Sequence, residues 1–372
     1  MHLRPTPEQD ALRKVGRDFI GTINPLEQLN RNVDDATGLT SRVWRKLAEL
    51  GWLGLTVPED LGGAGATHSD TAVLFEEVGA GLLPVPLLAT VAHVLPWLIA
   101  SPDSEELIPA VVGGERRVAF AGASVGGRTL FDAFVPLTVG GTSTQPLLSG
   151  TRTWVIGADA ADAFLVPVWG DAPAILLVDA AHASVRPTES LDASQSVSEV
   201  VFDSAPARIL LSGQEATDTA RRVEDLSGLF ASAEAVGIIS RLLTITAEYT
   251  SLREQFDRPV ATFQGVSHQL ADLYVDGELA RSLVLWAAFE TDRLKAPASL
   301  EIAAAAAHAL PAAVAAAETA IQLHGGIGMT WDAPLHRYYK RALFLRASHQ
   351  ARARCCVRSH ATSSHPRADS AA

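Results

Sequence analysis

The chain has 372 residues, of which 48% are hydrophobic and 19% charged, with a formal net charge of −12. This length exceeds one ordinary core, so two or three subdomains are expected. The acidic balance, with no long basic run, argues against nucleic acid and anionic membranes as partners.

Residues 1–115 read as helical. Thr6–Ile20 opens with Thr-Pro-Glu-Gln, a helix-start signal with acid in the first turn. Ser41–Leu50 places Val43, Leu47 and Leu50 at helical spacing. The stretch Leu50–Gly65 then ends in a Pro58-Glu59 turn and a glycine cluster. Ser69–Gly79 reads as another helix and carries adjacent Glu76 and Glu77. Neighbouring side chains on a helix point about 100° apart, so this pair is not one acid–base couple. A solvated or interfacial face is the expectation for it.

After Glu115 the pattern changes to short apolar or alternating runs separated by Gly, Pro, Asp and Ser. The strands predicted are Val118–Phe120, Ala133–Val139, Pro146–Ser149, Thr153–Ile156, Ala163–Trp169, Ala174–Val178 and Ser198–Phe202. From about Gly213 helices return: Glu215–Thr250, Phe263–Arg293 and Ala298–Leu323, the last kinked at Pro311. Twelve alanines within Glu301–Ala320 imply close helix–helix approach. His336–Phe344 supports one more helix. The polar residues from Arg358 onward read as a disordered tail. The fold class is therefore α+β and multidomain. A helical domain covers 1–115, a β-barrel or sandwich domain 116–212, a C-terminal four-helix bundle 213–357 and a tail 358–372.

Cys355 and Cys356 are the only cysteines. Sequence neighbours seldom bridge, and no metal-ligand spacing exists, so no metal is expected and a reduced, cytoplasmic setting fits. No secretory leader pattern and no apolar run of transmembrane length stand out, so no membrane span is expected.

Two segments carry chemistry. Gln322-Leu-His-Gly-Gly-Ile-Gly328 ends a helix with paired glycines, which permit positive φ and let a phosphate or ring approach the backbone. Gln322 sits one helical turn before the pair. Upstream lies Arg253-Glu-Gln255-Phe256-Asp-Arg-Pro259-Val-Ala-Thr-Phe263-Gln264. Together they resemble the acyl-CoA dehydrogenase family, whose members carry R-x-x-F-[GD]-x-P-x-x-x-F-Q followed by Q-x-x-G-G-x-G-[MYF]. The block Leu47–Gly79 is similar to that family's first domain. The resemblance spans nearly the whole chain and is weakest in the β domain.

The resemblance implies FAD in a cleft shared by two subunits. One subunit's middle domain holds the flavin ring, and its neighbour's C-terminal domain holds the adenine and pyrophosphate. It places Arg253, Gln255, Phe256, Gln264, Gln322, Gly325 and Gly326 on the adenine side. Arg253 can give charge-assisted bonds to a pyrophosphate, Phe256 offers a flat apolar face, and the glycines expose backbone N–H groups. The ring side departs from the family. Ala119–Arg128 lacks the usual Thr-Glu-Pro and Ser-Asp, and Ile156 replaces the hydroxyl that follows Trp154. The family's catalytic carboxylate falls on His349, counting 24 residues from Gly325. Its alternative location falls on Ser227, with Glu224 and Glu234 one to two turns away as rival bases. A histidine can take a proton near neutrality, but no catalytic residue is assigned.

The resemblance thus implies FAD-dependent α,β-dehydrogenation of an acyl-CoA, in lipid or steroid β-oxidation, with an electron-transfer flavoprotein as acceptor. Most similar is the non-catalytic partner subunit of actinobacterial α2β2 enzymes. The alternatives are an autonomous homotetramer with an unusual base, and a non-enzymatic flavin or acyl-CoA binding protein.

Overall fold

The structure is a computed structural model that describes residues 5–27, 36–122, 137–142, 144–170 and 172–363. The side chains of 36–40 and 350–363, including those of Cys355 and Cys356, lie outside that description.

Helix α1 (Pro7–Ile23) starts where the sequence predicts, with Thr6 and Gln9 forming a reciprocal capping box. Helices α2 (Ala36–Glu49) and α3 (His68–Gly81) follow, the latter capped likewise by Thr67 and Asp70. Helix α4 (Ala89–Ala100) opens with a π turn over Ala89–Val94, where Leu95 N–H donates to the Thr90 carbonyl. Pro96 has no N–H to continue the ladder, which accounts for the widening. Helix α5 (Leu107–Val112) closes the N-terminal part.

The middle domain is built on β1 (Val118–Phe120), β2 (Thr138–Thr142), β3 (Gln145–Ile156), β4 (Ala163–Val168), β5 (Ala174–Asp179), β6 (Ala183–Thr188) and β7 (Val197–Ser212). The two strands expected across 146–156 are one strand, β3, with a register shift between Arg152 and Val155. Strand β6 was not anticipated, because its residues are mostly exposed and lack an apolar run. Residues 133–136 of the expected Ala133–Val139 strand lie outside the described residues. Strand order is β1-β4-β5-β7-β3-β2, with β6 also on β7; only β1–β4 is parallel. The first half of β7 pairs with β3 and β6, and the second half with β5. Between them Ser204 has φ +49°, so the sheet turns over on β7 without closing into a barrel. A sandwich is what remains of the barrel-or-sandwich expectation.

Helices α6 (Gly213–Leu252), α7 (Gln264–Leu294), α8 (Ser299–His324) and α9 (Leu335–Ser363) form the C-terminal bundle. Helix α8 runs through Pro311, and Ala305, Ala309, Ala313, Ala317 and Ala320 along it are fully buried. Helix α9 reaches Ser363, so 358–363, expected in the tail, are helical; no Gly or Pro interrupts this stretch. Residues 364–372 lie outside the description. Two helical segments, Gly213–Leu252 and Ser299–Met329, are long and apolar enough to cross a membrane, contrary to the sequence reading. Their apolar windows are mostly buried inside the protein, as core helices are.

The N-terminal helices and the bundle share one core, with Trp52, Phe75, Phe230 and Tyr338 among its members. Helices α3 and α6 cross there with almost no space. A Cβ on Gly79 would lie 2.0 Å from the Glu234 carbonyl oxygen, and one on Gly237 1.8 Å from that of Glu76. Glu76 and Glu77 are buried at this crossing rather than solvated. Arg13 of α1 and Arg281 of α7 pair with Glu76 at 3.1 and 3.3 Å, and Arg17 pairs with Glu77 at 3.0 Å. The residue types predict a polar face, but four helices close over it. Burial pushes the Glu76 carboxyl up, against the pull of Arg281 and Arg13.

Asp292, near the end of α7, clamps the first turn of α3. It accepts from His68 N at 2.7 Å, Ser69 N at 3.0 Å and Ser69 Oγ at 2.6 Å, and meets His68 Nδ1 at 2.8 Å. Burial alone would raise its carboxyl, but the His68 and Ser69 hydrogen bonds hold it below its ordinary value. The resulting stabilisation is present above the unfolded pKa of about 3.9 and fades as pH falls through the lower folded value. Asp292→Asn should lower the melting temperature at neutral pH and flatten its decline below about pH 4, which thermal melts of both proteins across pH will show.

Candidate functional site

A cavity of about 110 Å³ lies where α4, β3, α6, α8 and α9 meet. Its apolar wall includes Leu87, Ile302, Ala306 and Phe344; its polar lining includes His93, Glu224, Ser227 and His349. The two positions where the resemblance places a catalytic carboxylate, Ser227 and His349, are brought into contact. Ser227 Oγ is 2.8 Å from His349 Nε2. On its other side, Ser227 Oγ is 2.6 Å from Nε2 of His93, which the π turn presents to the cavity. His349 Nδ1 donates to the Leu345 carbonyl, one turn back, at 2.9 Å. Burial pushes His349 down, and burial followed by the neighbouring His349 pushes His93 down to about 3. The chain His93–Ser227–His349 is thus uncharged at neutral pH, where a dehydrogenase base would be anionic.

Both rival bases, Glu224 and Glu234, line the cavity. Glu234 is 2% exposed and its carboxylate is paired with Arg341. Arg341 also reaches Asp192 Oδ2 at 2.6 Å and donates to Ser194 Oγ at 2.6 Å and to the Leu83 carbonyl at 3.4 Å. This buried cluster ties α6 and α9 to the loop before β7 and to the end of α3. Burial pushes the Glu234 carboxyl up against the attraction of Arg341. Its role is to hold three parts of the chain together.

Trp154 and Ile156, which the resemblance places on the flavin-ring side, line this cavity. Trp154 has φ +64° at the register shift of β3, and its ring stacks on Phe344 at 5.8 Å across the cavity. Ile156 lines the same space without a hydroxyl. Of the segment 119–128, residues 123–128 lie outside the described residues.

The second site lies at the far end of α6. Tyr249 stacks on His324 with centroids 4.3 Å apart and donates its hydroxyl to the His324 carbonyl at 3.3 Å. This contact joins the two motif segments. The chain then folds back through β8 (Glu254–Gln255) and β9 (Arg258–Pro259), with Val260 N–H donating to the Arg253 carbonyl at 2.8 Å. Arg253, Gln255, Phe256, Gln264, Gln322, Gly325 and Gly326 are all exposed. Phe256 is 87% exposed and meets Phe263 edge-on, while Arg258 lies over the other ring at 4.0 Å. Gly325 has φ +63°, which a side chain would strain, and a Cβ on Gly326 would meet nothing. Gly328 is required for a different reason: a Cβ there would sit 2.6 Å from the Ile321 carbonyl. The Arg253 guanidinium makes no hydrogen bond or ion pair among the described residues.

The two sites are far apart. Ser227 and Tyr249 lie on one helix, and their separation of 22 residues spans about 33 Å. The exposed end, with its cation, amides and bare backbone, fits the anionic half of a dinucleotide. The cavity, with Ile156 and the Trp154–Phe344 stack, does not fit the polar edge of a flavin ring.

The order of helical, sheet and helical domains matches that of solved acyl-CoA dehydrogenases. Models of the "Acyl-CoA dehydrogenase, N-terminal domain" and "Acyl-CoA dehydrogenase, C-terminal domain" match residues 6–107 and 229–348. The acyl-CoA dehydrogenase FadE27 of Mycobacterium tuberculosis is 34% identical over 316 residues, covering 81% of this chain and 82% of that protein. The ChsE4–ChsE5 complex from Mycobacterium tuberculosis contains a chain 30% identical with a TM-score of 0.85, covering 98% of this chain and 100% of that one. A steroid ACAD, Tcur3481–Tcur3483, gives 30% identity and a TM-score of 0.82, covering 95% and 99%. This chain belongs to the acyl-CoA dehydrogenase family, whose members are FAD-dependent oxidoreductases acting on the CH–CH bond of acyl-CoA thioesters.

His93 was invisible to motif reasoning, since it enters through a π turn with no spacing signal beyond Pro96. The Arg341 cluster predicts its own test. Arg341→Met leaves Glu234 and Asp192 buried without their cation, a change that costs about 3–5 kcal/mol. Denaturant unfolding should show a loss of that size, whereas Arg253→Met at the exposed end should stay within about 0.5 kcal/mol.

Proposed function

We propose that this chain is the partner subunit of a heteromeric acyl-CoA dehydrogenase. It completes the adenine and pyrophosphate side of an FAD site whose ring pocket and base belong to a sister chain. The observation that carries this reading is the split along α6. The exposed end keeps Arg253, Gln255, Phe256, Gln264, Gln322, Gly325 and Gly326, while the cavity holds neutral Ser227 and His349 at both carboxylate positions. When bound, FAD supplies the acceptor for the hydride leaving the β-carbon. This chain's share is to hold the dinucleotide's charged half. The relatives named for steroid and heteromeric complexes support a steroid or lipid side-chain CoA ester as substrate. An electron-transfer flavoprotein as acceptor and a cytoplasmic setting complete the reading.

The rival is an autonomous enzyme with His349 or a displaced Glu, such as Glu224 on the cavity wall, as base. Against it, the Nε2 lone pair of His349 is already engaged by Ser227.

Co-expression with a sister chain that carries the glutamate tests the reading. The purified complex should hold about one FAD per two chains, by the shared-cleft arrangement, and His349→Ala should keep turnover within a few-fold. One FAD per chain, or a loss of about a hundredfold in turnover with FAD retained, would place an active site in this chain instead. Within the complex, Arg253→Ala should weaken FAD about tenfold to a hundredfold, read by flavin retention on dilution, with melting behaviour of the apoprotein unchanged.

A further inference from the structure

The His93–Ser227–His349 chain has a direction that hydrogen-bond chemistry fixes. The Leu345 carbonyl can only accept, so His349 Nδ1 carries the proton. Neutral His349 then presents a lone pair at Nε2, and Ser227 must donate its hydroxyl proton to it. With that proton committed, Ser227 Oγ can only accept, so His93 Nε2–H donates to it. The order is His93 N–H to Ser227 O–H to His349 N. Burial keeps both rings uncharged, which preserves this order through the neutral range.

One valence stays open at Ser227: its second lone pair, an acceptor. The rest of the lining offers few donors beyond the Trp154 indole N–H and the Ser348 hydroxyl. The Arg341 N–H groups serve Asp192, Glu234, Ser194 and the Leu83 carbonyl. The Ser299 hydroxyl donates to Asp225 at 2.7 Å. Glu224, when ionised, only accepts. Gln195, whose amide can donate, lines both this cavity and a second one of about 80 Å³. An apolar chamber with an acceptor at its α6 wall suits a guest that brings its own proton.

We propose that this cavity binds an uncharged, largely apolar molecule that presents a hydroxyl to Ser227, and that it discriminates against the matching ketone. A guest hydroxyl donates to the open lone pair. A carbonyl oxygen meets the same lone pair with no proton between them, leaving a desolvated acceptor unpaired. The inference concerns this chain's own cavity and stands whether or not the heteromeric reading holds.

The test uses cyclohexanol and cyclohexanone, similar in size and differing in donor capacity, titrated into the full-length protein in its assembled form and followed by ligand-observed NMR. Cyclohexanol should bind about threefold to tenfold more tightly. Ser227→Ala uncovers the His93 N–H, which gives the ketone a donor, so the ratio should fall to near one. Equal or reversed affinities in the unaltered protein, failure of both probes to bind, or a preference that survives Ser227→Ala would overturn the proposal. A second readout needs no altered cavity. Nitrogen-15 imidazole spectra, assigned with His93→Gln and His349→Gln, should show His349 protonated at Nδ1 and His93 at Nε2. The opposite tautomer at either ring would reverse the chain and sink the idea.

Discussion

The crossing of α3 and α6 at Gly79 and Gly237 constrains everything around it. Two helices touch there through backbone alone, because any Cβ would fall within about 2 Å of a carbonyl oxygen. Such closeness draws the neighbouring carboxylates of Glu76, Glu77 and Glu234 inside. A buried carboxylate without a partner is too costly to persist, so each recruits a cation. Arg13 and Arg17 come from α1, Arg281 from α7 and Arg341 from α9. A contact between two small residues thereby fixes where three other helices must dock. The Arg341 cluster extends the effect to the middle domain through Asp192 and Ser194.

That framework also sets the chemistry of the cavity. Helix α6 supplies Ser227 to the cavity and Glu234 to the ion cluster, two turns apart. Because Glu234 is committed to Arg341, it cannot serve a substrate. Ser227 and His349 then satisfy each other, and His93 joins them from a turn that Pro96 widens. The polar groups have settled among themselves, in a chamber otherwise apolar. At the C-terminal end of the same helix the reverse holds. Arg253 and the glycine pair face outward, and their natural complement is an anion supplied from elsewhere.

Most helices, the capped start at Thr6 and the two motif segments were legible because each is written locally. The glycine pair and the R-x-x-F and Q-x-x-G-G spacings are read from neighbouring residues. Ser227 and His349 were located by counting along the chain, yet their contact was not, since 122 residues separate them. Glu76 and Glu77 read as a polar face because the arginines that bury them lie 60 to 205 residues away. Strand β3 read as two strands because its bulge at Trp154 breaks the alternation. Strand β6 left no pattern at all, since it contributes little to any core. The Ser227–His349 contact and the burial of Glu76 and Glu77 escaped the sequence because their partners are distant in the chain.

The length of α6 has a consequence for how such a protein changes over time. The exposed surface with Arg253 lies at the C-terminal end of α6 and the chamber at its middle, with the Gly79–Gly237 contact between them. Sites so far apart respond independently to substitution. A change in the chamber can therefore alter what it holds while the exposed surface, about 33 Å along the helix, keeps its shape.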